Sequence, residues 1–267
     1  MNAVELSALD LAIAASLIVF DAALSLAFGL RLHRQLLVAS LRMVVQLLLV
    51  GLLLRWLFAS QSPALTLAAI VLMMAATVRE VAFRPRQRLR RHGNLRIAAV
   101  VVAAASTSTV LLALLTAIRP TPWHDARYAI PLMGIVLGSV LNAASLALDS
   151  FMGDIAGARH RIEARLALGA TLREALSPLR RDAVRKGLIP VINQMAAAGI
   201  ITLPGIMTGQ LIAGMDPVSA VKYQILLLFL LAGSSGLAAG GAVWLAGRAV
   251  GDERDRLRLD RLVQQGR

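Results

Sequence analysis

The chain has 267 residues, 58% of them hydrophobic and 16% charged, with a formal net charge of +13 and no cysteine. A mean hydropathy of +0.71 excludes a soluble domain of this length, and the lack of cysteine excludes disulfides, thiolate metal ligands and thiol nucleophiles. The basic excess, 26 Arg against 2 Lys, fits cytoplasmic loops held by the positive-inside bias, so lipid is the expected surround and nucleic acid is not an expected partner.

The N-terminus M-N-A-V-E-L has no basic stretch before its first apolar run, so no cleavable leader is expected. Apolar runs without period-two alternation predict seven membrane-spanning helices, at 9–30, 36–58, 64–83, 97–118, 128–149, 188–213 and 220–247. The first carries Asp21, and the second carries Arg42 with Gln46. At 1.5 Å per residue these two charges lie roughly 13 and 9 Å from the same membrane face, which predicts a structural Asp21–Arg42 ion pair.

On the fifth span Gly134, Gly138, Asn142, Ser145 and Asp149 fall on a stripe about 80° wide. The glycines read as close helix packing. Asn142, Ser145 and Asp149 read as a polar pathway, with Arg159 as an alternative partner for Asp149.

Segment 150–187 is the longest polar interruption, and 159–187 is its candidate coupling part. Ile162, Leu166 and Gly169 have helical spacing, Gly169 is a natural stop, and Thr171 with Glu174 forms a capping box. Ser177-Pro178 starts another helix. The expected form is helix, turn, helix, presented at the membrane surface.

In the sixth span Asn193 and Gln194 lie at the depth of the fifth-span stripe, either as a hydrogen-bonded lock or as solute ligands. Pro204-Gly205 should break or kink this span, leaving Gly205, Gly209, Thr208 and Gln210 as an irregular polar stretch, a candidate outer gate or dimer contact. Asp216-Pro217 on the following outer loop either caps the last span or meets a cation. Gly236 and Gly240 in that span have the spacing of a packing motif. The tail 248–267 reads as an amphipathic charged helix with affinity for anionic headgroups.

Alternate loops hold 23 basic residues on one side and 4 on the other, with Arg42 inside a span. This places the N-terminus outside and the C-terminus in the cytoplasm, and supports an odd number of spans. No loop is long enough to fold alone, so residues 1–267 read as one transmembrane domain. The fold expected is all-α, a polytopic membrane bundle of about seven helices with a cytoplasmic coupling helix.

Glu163-Ala164 followed by Leu168-Gly169-Ala170-Thr171 resembles the first half of the coupling motif by which ABC-transporter permeases grip their ATPase. The usual second Ala is Arg165, and the Ile-x-Leu-Pro continuation is displaced to Ile189-Pro190. The block L-P-G-I-M-T-G-Q at 203–210, D-P at 216–217 and A-V-K-Y-Q at 220–224, with G-I-V-L-G-S-V-L-N at 134–142, is similar to the FetB-type permease family of bacterial iron exporters and plant relatives linked to aluminium tolerance. The resemblance covers roughly 31–245. It implies a non-enzymatic export subunit in the bacterial inner membrane, paired as a homodimer with a small cytoplasmic ABC ATPase.

No G-x-x-x-x-G-K-[ST] loop is present, so ATP and Mg are expected on the partner and no cofactor on this chain. The four His are scattered and give no metal-ligand spacing. The alternatives are an ion-gradient-driven transporter or channel, which would bring internal repeats and more embedded acids, and a membrane-embedded enzyme, for which no nucleophile–base pair is present.

Overall fold

The computed structural model describes residues 7–60, 62–90, 92–122, 124–252, 254 and 256–264. Its helices are α1 (Ala8–Ala27), α2 (His33–Ser60), α3 (Pro63–Phe83), α4 (Gly93–Leu112) with a π-helical end (Ala113–Ile118), α5 (Ala126–Gly157), α6 (Arg159–Ala167), α7 (Leu172–Ala175), α8 (Ser177–Ala197), α9 (Gly205–Ile212) and α10 (Pro217–Ala249). Two short strands, β1 (Gln87–Leu89) and β2 (Leu262–Gln264), pair antiparallel. The protein is a membrane helical bundle. Among the described residues α1, α2, α3, α4 with its π end, α5 and α10 are long and apolar enough to cross a bilayer.

The chain divides into two compact units. The first contains α1 and α2, a hairpin whose turn is tied by Ser25: its Oγ accepts from Leu32 N at 2.9 Å, and its carbonyl from Leu30 N at 2.9 Å. Ala22 and Ser25 are buried on α1, while most apolar side chains of both helices are exposed, as suits a lipid-facing surface.

The predicted Asp21–Arg42 pair is not formed. Both side chains are exposed, and no ion pair joins them within 4.0 Å. Asp21 precedes Ala22 by 100° around the helix, which turns it off the buried Ala22–Ser25 face; matched depth alone did not fix azimuth.

The second unit packs α3, α4, α5, α8 and α10 around a core that includes Val102, Val140, Leu148, Phe151, Met152, Ile155 and Val243. The buried Asn94 side chain accepts from Leu89 N at 3.1 Å and donates to Ala82 O at 3.3 Å, joining β1 to the end of α3. Helices α5 and α8 are clasped by Lys186 Nζ, 2.9 Å from Ser150 Oγ and 3.2 Å from Asp154 Oδ2.

The tail is not the amphipathic helix expected from its charges. Helix α10 stops at Ala249, and the chain returns through Leu259–Arg261, a 3-10 turn, into β2. Two bonds from Arg261 Nη1, each 2.9 Å, fasten it to the carbonyls of Ala249 and Gly251. These bonds satisfy carbonyls that the end of α10 leaves without intrahelical partners, and β2 pairs with the edge of β1. Residues 253, 255 and 265–267 of that tail, and the first six residues read for a leader, lie outside the described residues.

The predicted sixth span is also different. Helix α8 ends at Ala197, and α9 begins only at Gly205. Gly199 at φ +85° and Ala197 O, which accepts from both Ile201 N and Thr202 N at 3.0 Å, make the break. The irregular stretch is therefore 198–204, and Thr208, Gly209 and Gln210 are helical. Pro204, which cannot donate, stands just before α9 and starts it rather than kinking it.

Candidate functional site

Helix α6 ends as its sequence requires. Gly169 at φ +90° lets its own N–H reach Leu166 O at 3.0 Å and Ala170 N reach Arg165 O at 3.1 Å, the paired bonds that close a helix through a left-handed glycine. Thr171 Oγ1 then accepts from Glu174 N at 3.3 Å, while Glu174 Oε2 accepts from Thr171 N at 2.9 Å. Both ends of the turn are thus fixed by hydrogen bonds that the local residues supply themselves.

This turn decides which side chains point outward. Ile162, Leu172, Ala175 and Leu176 are buried beneath it. Glu163, Ala164, Leu168, Gly169 and Thr171 are exposed, and Ala170 is half-buried. Leu168 is 87% exposed, a large apolar residue at the tip of a rigid, charge-rimmed knob. Glu163 makes a 2.8 Å ion pair with Arg159 one turn earlier on the same helix. Thr171 holds the Glu174 carboxyl below its usual range through these backbone and side-chain hydrogen bonds.

A cavity of about 210 Å³ lies between α5, α8 and α10. Its polar lining is Ser139, Asn142, Gln194 and Ser235. Ser139 and Ser235 bridge α5 to α10 through their hydroxyls at 2.7 Å. Asn142 Oδ1 accepts from Arg84 Nη1 at 3.5 Å. The cavity therefore joins Asn142 to Gln194, as their depths predict.

Its donors and acceptors are amides and hydroxyls, suited to hydrogen-bonding a small polar solute or the water shell of a cation. No group of three His, Cys, Asp or Glu able to hold a metal exists among the described residues.

Other candidates stand apart from this cavity. Asp149 is exposed and accepts from Arg86 N at 2.8 Å instead of meeting Arg159. Ser145 is buried with its Oγ lacking a hydrogen-bond partner. Asn193 is exposed and is not part of the lining. On α9, Thr208 Oγ1 donates to Pro204 O at 3.3 Å, and Gln210 Oε1 is buried without a partner. Asp216 caps α10, its Oδ2 accepting from Ser219 N at 2.9 Å. Gly138, Gly236 and Gly240 do not serve close packing in the chain: a Cβ on any of them would meet no atom within 4 Å.

Sequence reasoning missed Gly187. It lies on α8 where a Cβ would come within 2.8 Å of Ala143 O, 3.0 Å of Ala239 Cβ and 3.1 Å of Ala147 Cβ. The three cavity-forming helices leave no room for a side chain there, and a lone glycine in an Arg-rich helix start carries no pattern that announces it. Ser139 and Ser235 were equally hidden, since neither repeats at an informative spacing.

The model described as Uncharacterised protein family (UPF0014) matches residues 8–250. A UPF0014 membrane protein of Synechocystis is 40% identical over 205 residues, covering 76% of this chain and 78% of the relative. The UPF0014 membrane protein STAR2 of Oryza sativa is 32% identical over 222 residues, covering 83% and 76%. The probable iron export permease protein FetB of Escherichia coli is 30% identical over 268 residues, covering 99% and 100%. No solved structure matches the chain. Its apolar helices and the match along nearly their whole length agree: the chain belongs to the UPF0014 family of membrane proteins.

Proposed function

We propose that the chain is the transmembrane subunit of an ABC-type exporter, working as a homodimer with a separate cytoplasmic ATPase that holds ATP and Mg. The observation that carries this reading is the α6–α7 knob, with Leu168 87% exposed on a turn locked at both ends. One exposed leucine is ordinary on a protein surface; held at the tip of a turn fixed by its own hydrogen bonds, Leu168 offers an apolar anchor of the kind a partner's groove covers. Glu163, Ala164 and Gly169 surround it with one charge and two small residues, which let a groove close down on the helix.

The charge asymmetry supports a cytoplasmic position for this knob, and the bacterial relatives support an inner-membrane location. The broken pair α8–α9 then serves as the sixth of seven crossings, its exposed irregular stretch at 198–204 covered by the second protomer. The solute is a metal ion, iron first, or a small polar molecule. The full-length similarity to a probable iron export permease supports iron, and the amide- and hydroxyl-lined cavity between α5, α8 and α10 offers a passage.

Reconstitution into proteoliposomes with the co-expressed ATPase tests the reading. ATP-dependent movement of ferrous iron, abolished by Leu168→Asp with the permease still folded, is expected. Gradient-driven movement without any ATPase would overturn it.

A further inference from the structure

Where α7 and α8 meet the end of α10, the returning tail borders an open cavity of about 1070 Å³. Seven arginines line it: Arg173, Arg180, Arg248, Arg254, Arg256, Arg258 and Arg261. Two are bonded to protein oxygens, and a third stacks through its face, which leaves its N–H edge for a ligand. Arg258 pairs with Asp260 at 2.9 Å, Arg261 holds the carbonyls at the end of α10, and Arg248 stacks on the Trp244 ring at 4.0 Å. Asp252 also lines the cavity, but its Oδ1 accepts from Arg254 N and Arg256 N, at 3.0 and 2.9 Å. Counting Glu253 and Asp255, which lie outside the described residues, the seven guanidiniums still exceed the four carboxylates of this stretch.

Arg180 is the informative member. Its Nε is buried with no hydrogen-bond partner. The guanidinium lies across Gly247, where a Cβ would come within 2.7 Å of that nitrogen. Burial, then the nearby Arg173 and Arg248, push it below the usual guanidinium range. A cation placed among cations with an idle donor, in a concave site, is short of an anion. Guanidinium forks match phosphate oxygens in geometry and charge.

We propose that this cavity binds a phosphate-bearing anion, held by Arg180 and Arg248 from the helices and by Arg254 and Arg256 from the tail. Two sources share that chemistry, an anionic phospholipid headgroup and a free phosphate. Trp244, near the end of a 33-residue apolar helix, suits the headgroup level of a bilayer. The ligand would tie the α7–α8 corner to the tail, where Leu172 Cδ2 already lies 2.5 Å from a Cβ position on Gly251. The inference stands whichever solute the chain moves and whichever protein covers the knob.

Trp244 reports on its own cavity. In full-length protein carrying Trp56→Phe and Trp123→Phe, its fluorescence is titrated with short-chain phosphatidylglycerol, zwitterionic phosphatidylcholine and inorganic pyrophosphate. The expected result is a saturable change with phosphatidylglycerol or pyrophosphate, weakened about tenfold by Arg180→Gln, the size of one charge-assisted hydrogen bond, and weakened further by salt. Arg254→Gln/Arg256→Gln, on exposed tail residues, should weaken it likewise if Arg180→Gln does not fold. Lys222→Gln, at the opposite end of α10, should leave it unchanged. Tighter phosphatidylglycerol assigns the site to lipid, and tighter pyrophosphate to a soluble phosphate. An equal response to phosphatidylcholine, no response to either anion, or indifference to all the arginine changes would overturn the proposal.

Discussion

Gly187 on α8 lies against the backbone of Ala143 on α5: a Cβ there would sit 2.8 Å from the Ala143 carbonyl oxygen. That oxygen belongs to a helix backbone and cannot swing away as a side chain does. With the Ala147 and Ala239 methyls 3.0–3.1 Å from the same point, the three helices have no room to give. Gly187→Ala should therefore destabilise the protein by about 1–3 kcal/mol, the usual cost of overpacking. Gly236→Ala, where a Cβ meets nothing within 4 Å, should be neutral. Thermal unfolding in detergent distinguishes them, and an unchanged midpoint for Gly187→Ala would show that α5 and α10 can yield at this crossing.

Below that crossing, the cavity presents Asn142 and Gln194 to one space. Replacing either amide by Leu keeps side-chain volume but removes its hydrogen bonding. Asn142 receives its bond from Arg84, an exposed side chain that water can satisfy, so folding should be little affected. Transport should fall about tenfold for each substitution, the equivalent of one lost polar contact. Asn193→Leu, outside the lining, should transport normally. Equal losses at Asn193 and Gln194, measured as uptake into inverted vesicles, would remove the cavity from the pathway.

Much of this arrangement is legible before any coordinates exist, and the reason is locality. Gly169 and the Thr171–Glu174 box act within a few residues of themselves, so their hydrogen bonds follow from spacing alone. Apolar run length likewise locates six long helices, because bilayer thickness sets the length. What fails is azimuth and long-range approach. Asp21 and Arg42 match in depth yet not in direction, and Gly187 matters only through Ala143 and Ala239, far away in the chain. The tail misleads for a related reason: its alternating charges suit a helix, but Arg261 finds better partners in the carbonyls ending α10.

The Thr171–Glu174 box makes a pH prediction. Its hydrogen bonds hold the Glu174 carboxyl below the ordinary value of 4.5. A carboxyl depressed in the folded state adds stability that is complete above its unfolded value and disappears as pH falls through the folded one. The α6–α7 turn should therefore loosen below about pH 4, read as faster amide exchange at 170–176 relative to α5. Glu174→Ala, which removes the acceptor, should be loose at neutral pH already, while Glu174→Gln, whose amide oxygen can still accept from Thr171 N, should stay closed and respond less to acid. A turn equally protected at both pH values in the parent protein would show that the box does not hold it.

The knob separates stability from coupling. Glu163 pairs with Arg159 in a half-exposed, same-helix bridge, and such pairs contribute about 0.5 kcal/mol or less. Glu163→Lys should thus leave the unfolding midpoint nearly unmoved. Leu168→Asp removes an apolar side chain that touches little within the chain, so its midpoint should stay too. If the knob seats in an ATPase groove, both changes should nonetheless cut stimulated ATP hydrolysis about tenfold or more, since a buried interface anchor is worth at least ~1–2 kcal/mol. Leu168 is the sharper probe, because only a partner can make so exposed a residue matter. Wild-type stimulation by Leu168→Asp, with the complex intact on gel filtration, would mean that the partner grips the chain elsewhere.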